Sequence, residues 1–173
     1  MLISEEYRRL NSELHRLNAE FGNESNMGAG PPIAGLAKGY EVKTVLDYGC
    51  GKGKLKAYLS GLGDPILDVR EYDPAVPGKN TLPEPADLVV SLDMLEHVEP
   101  ECLNDVLDHL YSLTKIVAFM TICLISSKKS LPDGRNAHLI VANEKFWLPR
   151  IASRWAVQLC TRTKYHLNVT GIP

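Results

Sequence analysis

The chain is most easily bounded by what it lacks. In 173 residues no apolar run approaches the ~20 needed to span a bilayer. The opening MLISEEYRRL turns acidic and polar too early for a signal peptide, so a cytoplasmic protein without a membrane partner is expected. No two cysteines form a C-x-x-C pair. Cys50, Cys102, Cys123 and Cys160 are scattered and read as buried thiols in a reducing compartment. Charge of one sign is also lacking: 19 basic residues face 21 acidic ones, for a net charge of −2. Nucleic acid is therefore not indicated by global charge, although a local basic patch stays open. Internal repeats and low-complexity segments are absent.

What remains is an ordinary globular composition, 45% hydrophobic and 23% charged, in a length that suits one domain with its own core. Tyr7, Leu10, Leu14, Leu17 and Phe21 recur at steps of three and four, which predicts an amphipathic helix over 4–21 with Ser4 as its N-cap. GNESNMGAGPP then breaks the pattern, and a short helix is expected from Pro32 to Tyr40. Residues 1–40 read as a helix and connector covering the site, and 41–173 as the main body of one globular unit.

From there strands and helices alternate. KTVLDYG, PILDVREYD, ADLVVSLDML and KIVAFMTICLI read as strands. KGKLKAYLSGL, stopped by Gly61 and Gly63, PECLNDVLDHLYSLT and NEKFWLPRIAS read as helices, the last kinked or restarted by Pro149. Such alternation means an α/β fold with a mostly parallel sheet. WAVQLCTRT and YHLNVTGI have no helix between them and should close the sheet as an antiparallel C-terminal hairpin.

Three glycines in five positions follow the first of these strands: Asp47, Gly49, Gly51 and Gly53 spell D-x-G-x-G-x-G. A strand-to-helix turn presents backbone N–H groups and the positive end of a helix dipole, and glycines let the chain pass close to a ligand. The dinucleotide fingerprint needs its third glycine one place later, which disfavours a nicotinamide-dependent oxidoreductase. A phosphate-binding P-loop needs Ser or Thr after its Gly-Lys pair, and Gly53 and Leu55 follow Lys52 and Lys54 instead.

VLDYGCGKGKL resembles motif I of the class I S-adenosylmethionine-dependent methyltransferases. The resemblance implies a Rossmann-like sandwich, an enzyme, and S-adenosylmethionine as cofactor, held by Asp47, Gly49, Cys50, Gly51 and Gly53. An acid some 20 residues past such a loop can accept both ribose hydroxyls. Glu71 and Asp73 are available in VREYDPAV, and Asp73, followed by proline as is common in the family, is preferred. LPEPADLVVSLDMLEHVEP resembles the segment in which an adenine-side loop, here Leu82 and Pro83, leads into the strand whose end meets cofactor and acceptor, with Ser91 and Asp93 among the contacts. One departure stands out. Only Pro74 to Pro85 separate the second strand from the next, where the family fits a helix and a further strand. A shortened middle and a more open adenine pocket follow, and the family's acidic adenine contact has no counterpart.

On the acceptor side Asp93, Glu96 and His97 are grouped at i, i+3 and i+4, and His138 follows the next strand. Two carboxylates and two imidazoles suit a divalent metal ion, which lowers the pKa of a bound hydroxyl. The cluster resembles the metal site of small-RNA 3′-end 2′-O-methyltransferases and of ubiquinone-biosynthesis O-methyltransferases. It also resembles the Glu-His pair of methyltransferases that use no metal. Catalytic roles fall to Glu96, His97 and His138, with His97 as a general base if no ion is present. Lys128, Lys129 and Arg135 could hold an acidic group. The acceptor is expected to be a small molecule or nucleotide presenting an oxygen or nitrogen. A non-catalytic cofactor-binding module is the competing class.

Overall fold

The computed structural model describes residues 1–22, 28–63 and 66–173. Part of the connector expected after the first helix, residues 23–27, and the expected start of the second strand, Pro65, lie outside the described residues.

The chain runs α1 (Glu5–Leu17), α2 (Gly30–Gly39), β1 (Thr44–Tyr48), α3 (Lys54–Leu62), β2 (Asp68–Tyr72), β3 (Ala86–Leu92), α4 (Leu103–Leu113), β4 (Thr114–Cys123), α5 (Glu144–Ala152), β5 (Ala156–Arg162) and β6 (His166–Ile172). The six strands form one sheet in the order β2-β1-β3-β4-β6-β5. The first four are parallel, and β6 and β5 run antiparallel as the expected hairpin. No helix or strand lies between Tyr72 and Ala86, so the crossover is shortened.

Successive strand side chains point to opposite faces, and here both faces are covered. Leu46, Val89, Ala118, Met120 and Ile122 pack against α4 and α5. Val45, Leu88, Val90, Val117 and Phe119 pack against α2 and α3. Among the described residues no helix is long and apolar enough to cross a membrane.

Four expectations need correction. First, α1 stops at Leu17, not at 21, because the Asn18 side chain accepts hydrogen bonds from the amides of Glu20 and Phe21 and turns the chain. Leu17 is left 62% exposed, and Phe21 is freed to turn inward. Second, Gly61 lies inside α3, and Gly63, at φ +74°, is the residue that ends it. Third, α5 runs through Pro149 without restarting, and Arg150 Nη1 donates to the Phe146 carbonyl one turn back. Fourth, only Cys50 and Cys102 are buried; Cys123 is half-buried and Cys160, on the edge strand, is exposed.

Candidate active site

In an open parallel sheet, ligands sit outside the carboxyl ends of the strands where the strand order reverses. Here the order turns between β1 and β3, so the crevice opens where Asp47 to Gly51 leave β1 and Asp93 to His97 leave β3. A cleft of about 780 Å³ lies there. Its walls include Asp47, Gly51, Asp73, Glu96, His97 and His138.

The glycine loop is built by local backbone demands. Gly49, Gly51 and Gly53 all have positive φ, at +80°, +50° and +81°. At each of them protein, and not open space, occupies the place of a side chain. A Cβ on Gly49 would collide with the Met94 side chain, and one on Gly51 would stand 2.9 Å from the Gly22 backbone. One on Gly53 would run into the Glu71 carboxylate and stand 2.6 Å from Lys79 Nζ. The expectation that all three glycines clear room for a ligand is thus revised: they clear room for β3's exit, for the N-terminal segment and for an ion pair.

Acids gather beneath the loop. Asp47 is 1% exposed, and its Oδ2 has no hydrogen-bond partner. Burial, reinforced by the Glu71 carboxylate, raises its pKa to about 7, against the opposing pull of Lys79. Asp73 is buried and accepts from the Gly51 amide at 3.0 Å and the Ala75 amide at 2.9 Å, so it braces the loop as well as facing the cleft. Cys50 is a buried thiol at the cleft wall, its pKa pushed up by burial. Two expected contacts lie elsewhere. Leu82 is 65% exposed, and Ser91 is fully buried inside β3; neither lines the cleft.

Across the cleft, Leu95–His97 form a 3₁₀ turn directly after β3. One ligand-type atom from each of Glu96, His97 and His138 lies within 4.8 Å of the others. His97 Nδ1 stands 2.7 Å from the Ala137 carbonyl, and His138 Nδ1 stands 2.6 Å from the Ile125 carbonyl. A carbonyl only accepts, which assigns the proton to Nδ1 in both rings and leaves each Nε2 with a free lone pair. Burial lowers both pKa values, that of His97 to about 3, so both rings are neutral at physiological pH. Glu96 is 0% exposed. Its Oε1 accepts the Cys123 amide, and its Oε2 has no partner. Burial, with Asp93 nearby, drives its pKa well up.

Asp93 is not brought into this group. It has φ +47°, a left-handed backbone that turns its side chain toward β4 and β6. There it accepts from Thr121 Oγ1 at 2.8 Å and faces His166 Nε2 at 3.8 Å. It still lines the same cleft.

Sequence reasoning missed several cleft residues, among them His166, His15 and Phe21. His166 comes from β6, and only its pairing with Cys123 brings it to the carboxyl edge of the sheet. His15 and Phe21 come from the N-terminal segment. The Phe21 ring lies between His15, at 4.6 Å, and His97, at 5.5 Å. The break at Asn18 was the available signal for Phe21. Lys128 and Lys129 stand on the rim, and Arg135, which pairs with Asp133, does not line it.

A parallel sheet with an acid-lined glycine loop at its switch point is the architecture of the Rossmann-like class I methyltransferases. A family profile described as "Methyltransferase domain" matches residues 3–163, and the chain belongs to that family. No curated protein sequence matches the chain. Among solved structures, the Burkholderia thailandensis 1,6-didemethyltoxoflavin-N1-methyltransferase, with 1,6-didemethyltoxoflavin and S-adenosylhomocysteine bound, is similar at a TM-score of 0.70 and 15% identity. That match covers 99% of this chain and 91% of the other. The magnesium protoporphyrin IX methyltransferase of Synechocystis PCC 6803, with S-adenosylmethionine bound, is similar at a TM-score of 0.59 and 17% identity, over 96% of this chain and 88% of that one.

Proposed function

We propose that this protein transfers the methyl group of S-adenosylmethionine to an oxygen or nitrogen of a small molecule or nucleotide held beside Glu96, His97 and His138. The observation that carries the reading is that an acid-lined glycine loop and a neutral-histidine cluster share one cleft. The residues fit the cofactor. Asp47 has an unused buried carboxylate oxygen suited to an ammonium, and Asp73, with lone pairs to spare, suits a pair of ribose hydroxyls. The cofactor supplies an electrophilic methyl. The chain's part is to align the acceptor in line with it and to exclude water.

A divalent metal ion also fits, on Glu96, His97 and His138, with Asp93 outside the ligand set. Two imidazoles each present an Nε2 lone pair and are oriented through Nδ1 by backbone carbonyls, a common arrangement for metal-ligating histidines. The buried, unpartnered Glu96 oxygen supplies the charge. Such an ion, when bound, acidifies an acceptor hydroxyl. Without it, an Nε2 of His97 or His138 takes the acceptor's proton.

Relatives named for small-molecule acceptors favour a small molecule here. A metal-assisted 2′-O-methyltransferase of an RNA 3′ end is the second reading, favoured by the Glu96, His97 and His138 grouping alone. A non-catalytic cofactor-binding module would use the Asp47 oxygen but has no use for the acceptor-side grouping of Glu96, His97 and His138, which argues against that reading. Calorimetry with S-adenosylhomocysteine, and separately with NAD, tests the cofactor. Binding of NAD but not of S-adenosylhomocysteine would sink the reading. Titration of Mn²⁺ into the wild type and Glu96→Gln tests the ion, and equal affinities for the two would remove it.

A further inference from the structure

The shortened crossover carries a cation into the underside of the glycine loop. Lys79 lies in the short irregular stretch between β2 and β3, the shortened middle that the sequence led one to expect. Its ammonium donates to Glu71 Oε1 at 3.0 Å and to the Gly51 carbonyl at 3.2 Å. Its own carbonyl accepts the Asp73 amide at 2.9 Å. The pair is largely sheltered, the two side chains being 23% and 17% exposed, and it presses directly against Gly53.

Three carboxylates, Asp47, Glu71 and Asp73, converge beneath the loop. Lys79 is the cation the structure places among them; Lys52, on the loop itself, is spent on the His15 carbonyl. Like charges held close in a sheltered site disfavour each other's ionisation. One fixed ammonium offsets that repulsion, and its bond to the Gly51 carbonyl ties the offset to the loop's shape.

We propose that Lys79, paired with Glu71, is a positioning residue for the cofactor: through its bonds to Glu71 and the Gly51 carbonyl it fixes the glycine loop and sets the charge balance around Asp47, which receives the cofactor's ammonium. The inference rests on the cofactor reading above and adds to it a residue and a pH dependence. Glu71, which shares a strand end with Asp73, serves the loop and leaves the ribose to Asp73. The charged and titratable groups facing the site are Asp47, Glu71, Asp73, Cys50, His15 and Lys52.

The test is calorimetry of S-adenosylhomocysteine binding between pH 6 and pH 8.5, with the thermal stability of the ligand-free protein measured in parallel. Lys79→Met should weaken binding about tenfold near pH 7, a change of about 1.4 kcal/mol. The loss should be larger at pH 6 and should shrink as pH rises, because Asp47 without its cation needs a higher pH to ionise. Lys79→Arg should restore most of the affinity. Glu71→Gln should weaken binding on its own, and the double variant should lose less than the sum, as contacting residues do. An unchanged affinity and pH profile in Lys79→Met overturns the proposal, and so do additive losses. If Lys79→Met fails to fold, Lys79→Gln carries the same comparison, with Lys79→Arg as the variant that keeps the charge. Failure of the wild type to bind S-adenosylhomocysteine overturns the cofactor reading, and this inference with it.

Discussion

Tyr7 donates its phenolic hydroxyl to the main-chain carbonyl of His97 at 2.6 Å. The bond ties α1 to the turn that carries the acceptor-side cluster. Two further bonds help, since Ser4 donates through both its amide and its hydroxyl to the buried Glu99 carboxylate, at 2.8 and 2.6 Å. The N-terminal helix is thus part of the site's wall. Tyr7→Phe keeps the ring and removes the bond. It should cost about 1 kcal/mol, or about 2–4 °C in melting temperature for a chain of this length. S-adenosylhomocysteine affinity should hold, since no cofactor residue is touched. Melting curves with and without the ligand check both halves, and a lost affinity with an unchanged melting point would contradict the assignment.

Gly51 and Gly22 meet backbone to backbone. Gly51→Ala forces a side chain into φ +50° and into Gly22, where no flexible group can yield. The expected cost exceeds about 1 kcal/mol, and the N-terminal strap should lift. Hydrogen exchange at residues 15–22 should rise sharply in the variant, and unchanged protection there counts against the contact.

Asp73→Ala should weaken S-adenosylhomocysteine by about 1–3 kcal/mol, the range for removing a charged acceptor from partly buried bonds. Glu71→Ala should act through the loop with the opposite pH trend from Lys79→Met, since removing that carboxylate eases the ionisation of Asp47. Calorimetry at two pH values separates them. A flat response in Asp73→Ala moves the ribose contact elsewhere.

Glu96 has its folded pKa raised above the ordinary 4.5, so the folded state holds its proton more tightly than the unfolded chain does. Its effect on stability is therefore favourable below that value and is lost as pH rises above it. In metal-free protein, Glu96→Gln should raise stability at pH 8 relative to wild type and leave pH 4 nearly unchanged. Mn²⁺ at a hundred times its dissociation constant should stabilise the wild type by about 2.7 kcal/mol and the variant much less. Denaturant titrations at the two pH values, with and without the ion, decide it.

His97 works the other way. Its pKa falls from 6.5 to about 3 on folding, so the unfolded chain binds the extra proton. The stability it contributes is complete above pH 6.5 and drains away as pH falls toward 3. His97→Gln should flatten that limb of the stability profile, and an unchanged slope between pH 6.5 and 4 would show that the ring is not buried as a neutral base.

Much of this was legible along the chain. The alternation of apolar runs gave the strands, because a sheet covered on both faces needs them nearly continuous. Asp47 and the glycine spacing marked the loop, since positive φ at short intervals demands glycine. Glu96, His97 and His138 were legible as a cluster because strand ends in parallel sheets converge. His166 and Phe21 were not: one depends on antiparallel register and the other on a turn made by Asn18.

The order of elements along the chain and the acid-lined glycine loop were thus determined by sequence alone, through local periodicity and backbone sterics that act over a few residues; the strand order and its switch point came from the pairing of distant strands. Tertiary structure decided what fills each glycine's open side, which of Glu71 and Asp73 pairs with Lys79, and that Asp93 turns away from Glu96. Those depend on contacts between segments far apart in the chain, where a left-handed backbone at Asp93 or a lysine in a shortened crossover redirects a charge by several ångströms. No spacing rule within one strand or helix records that.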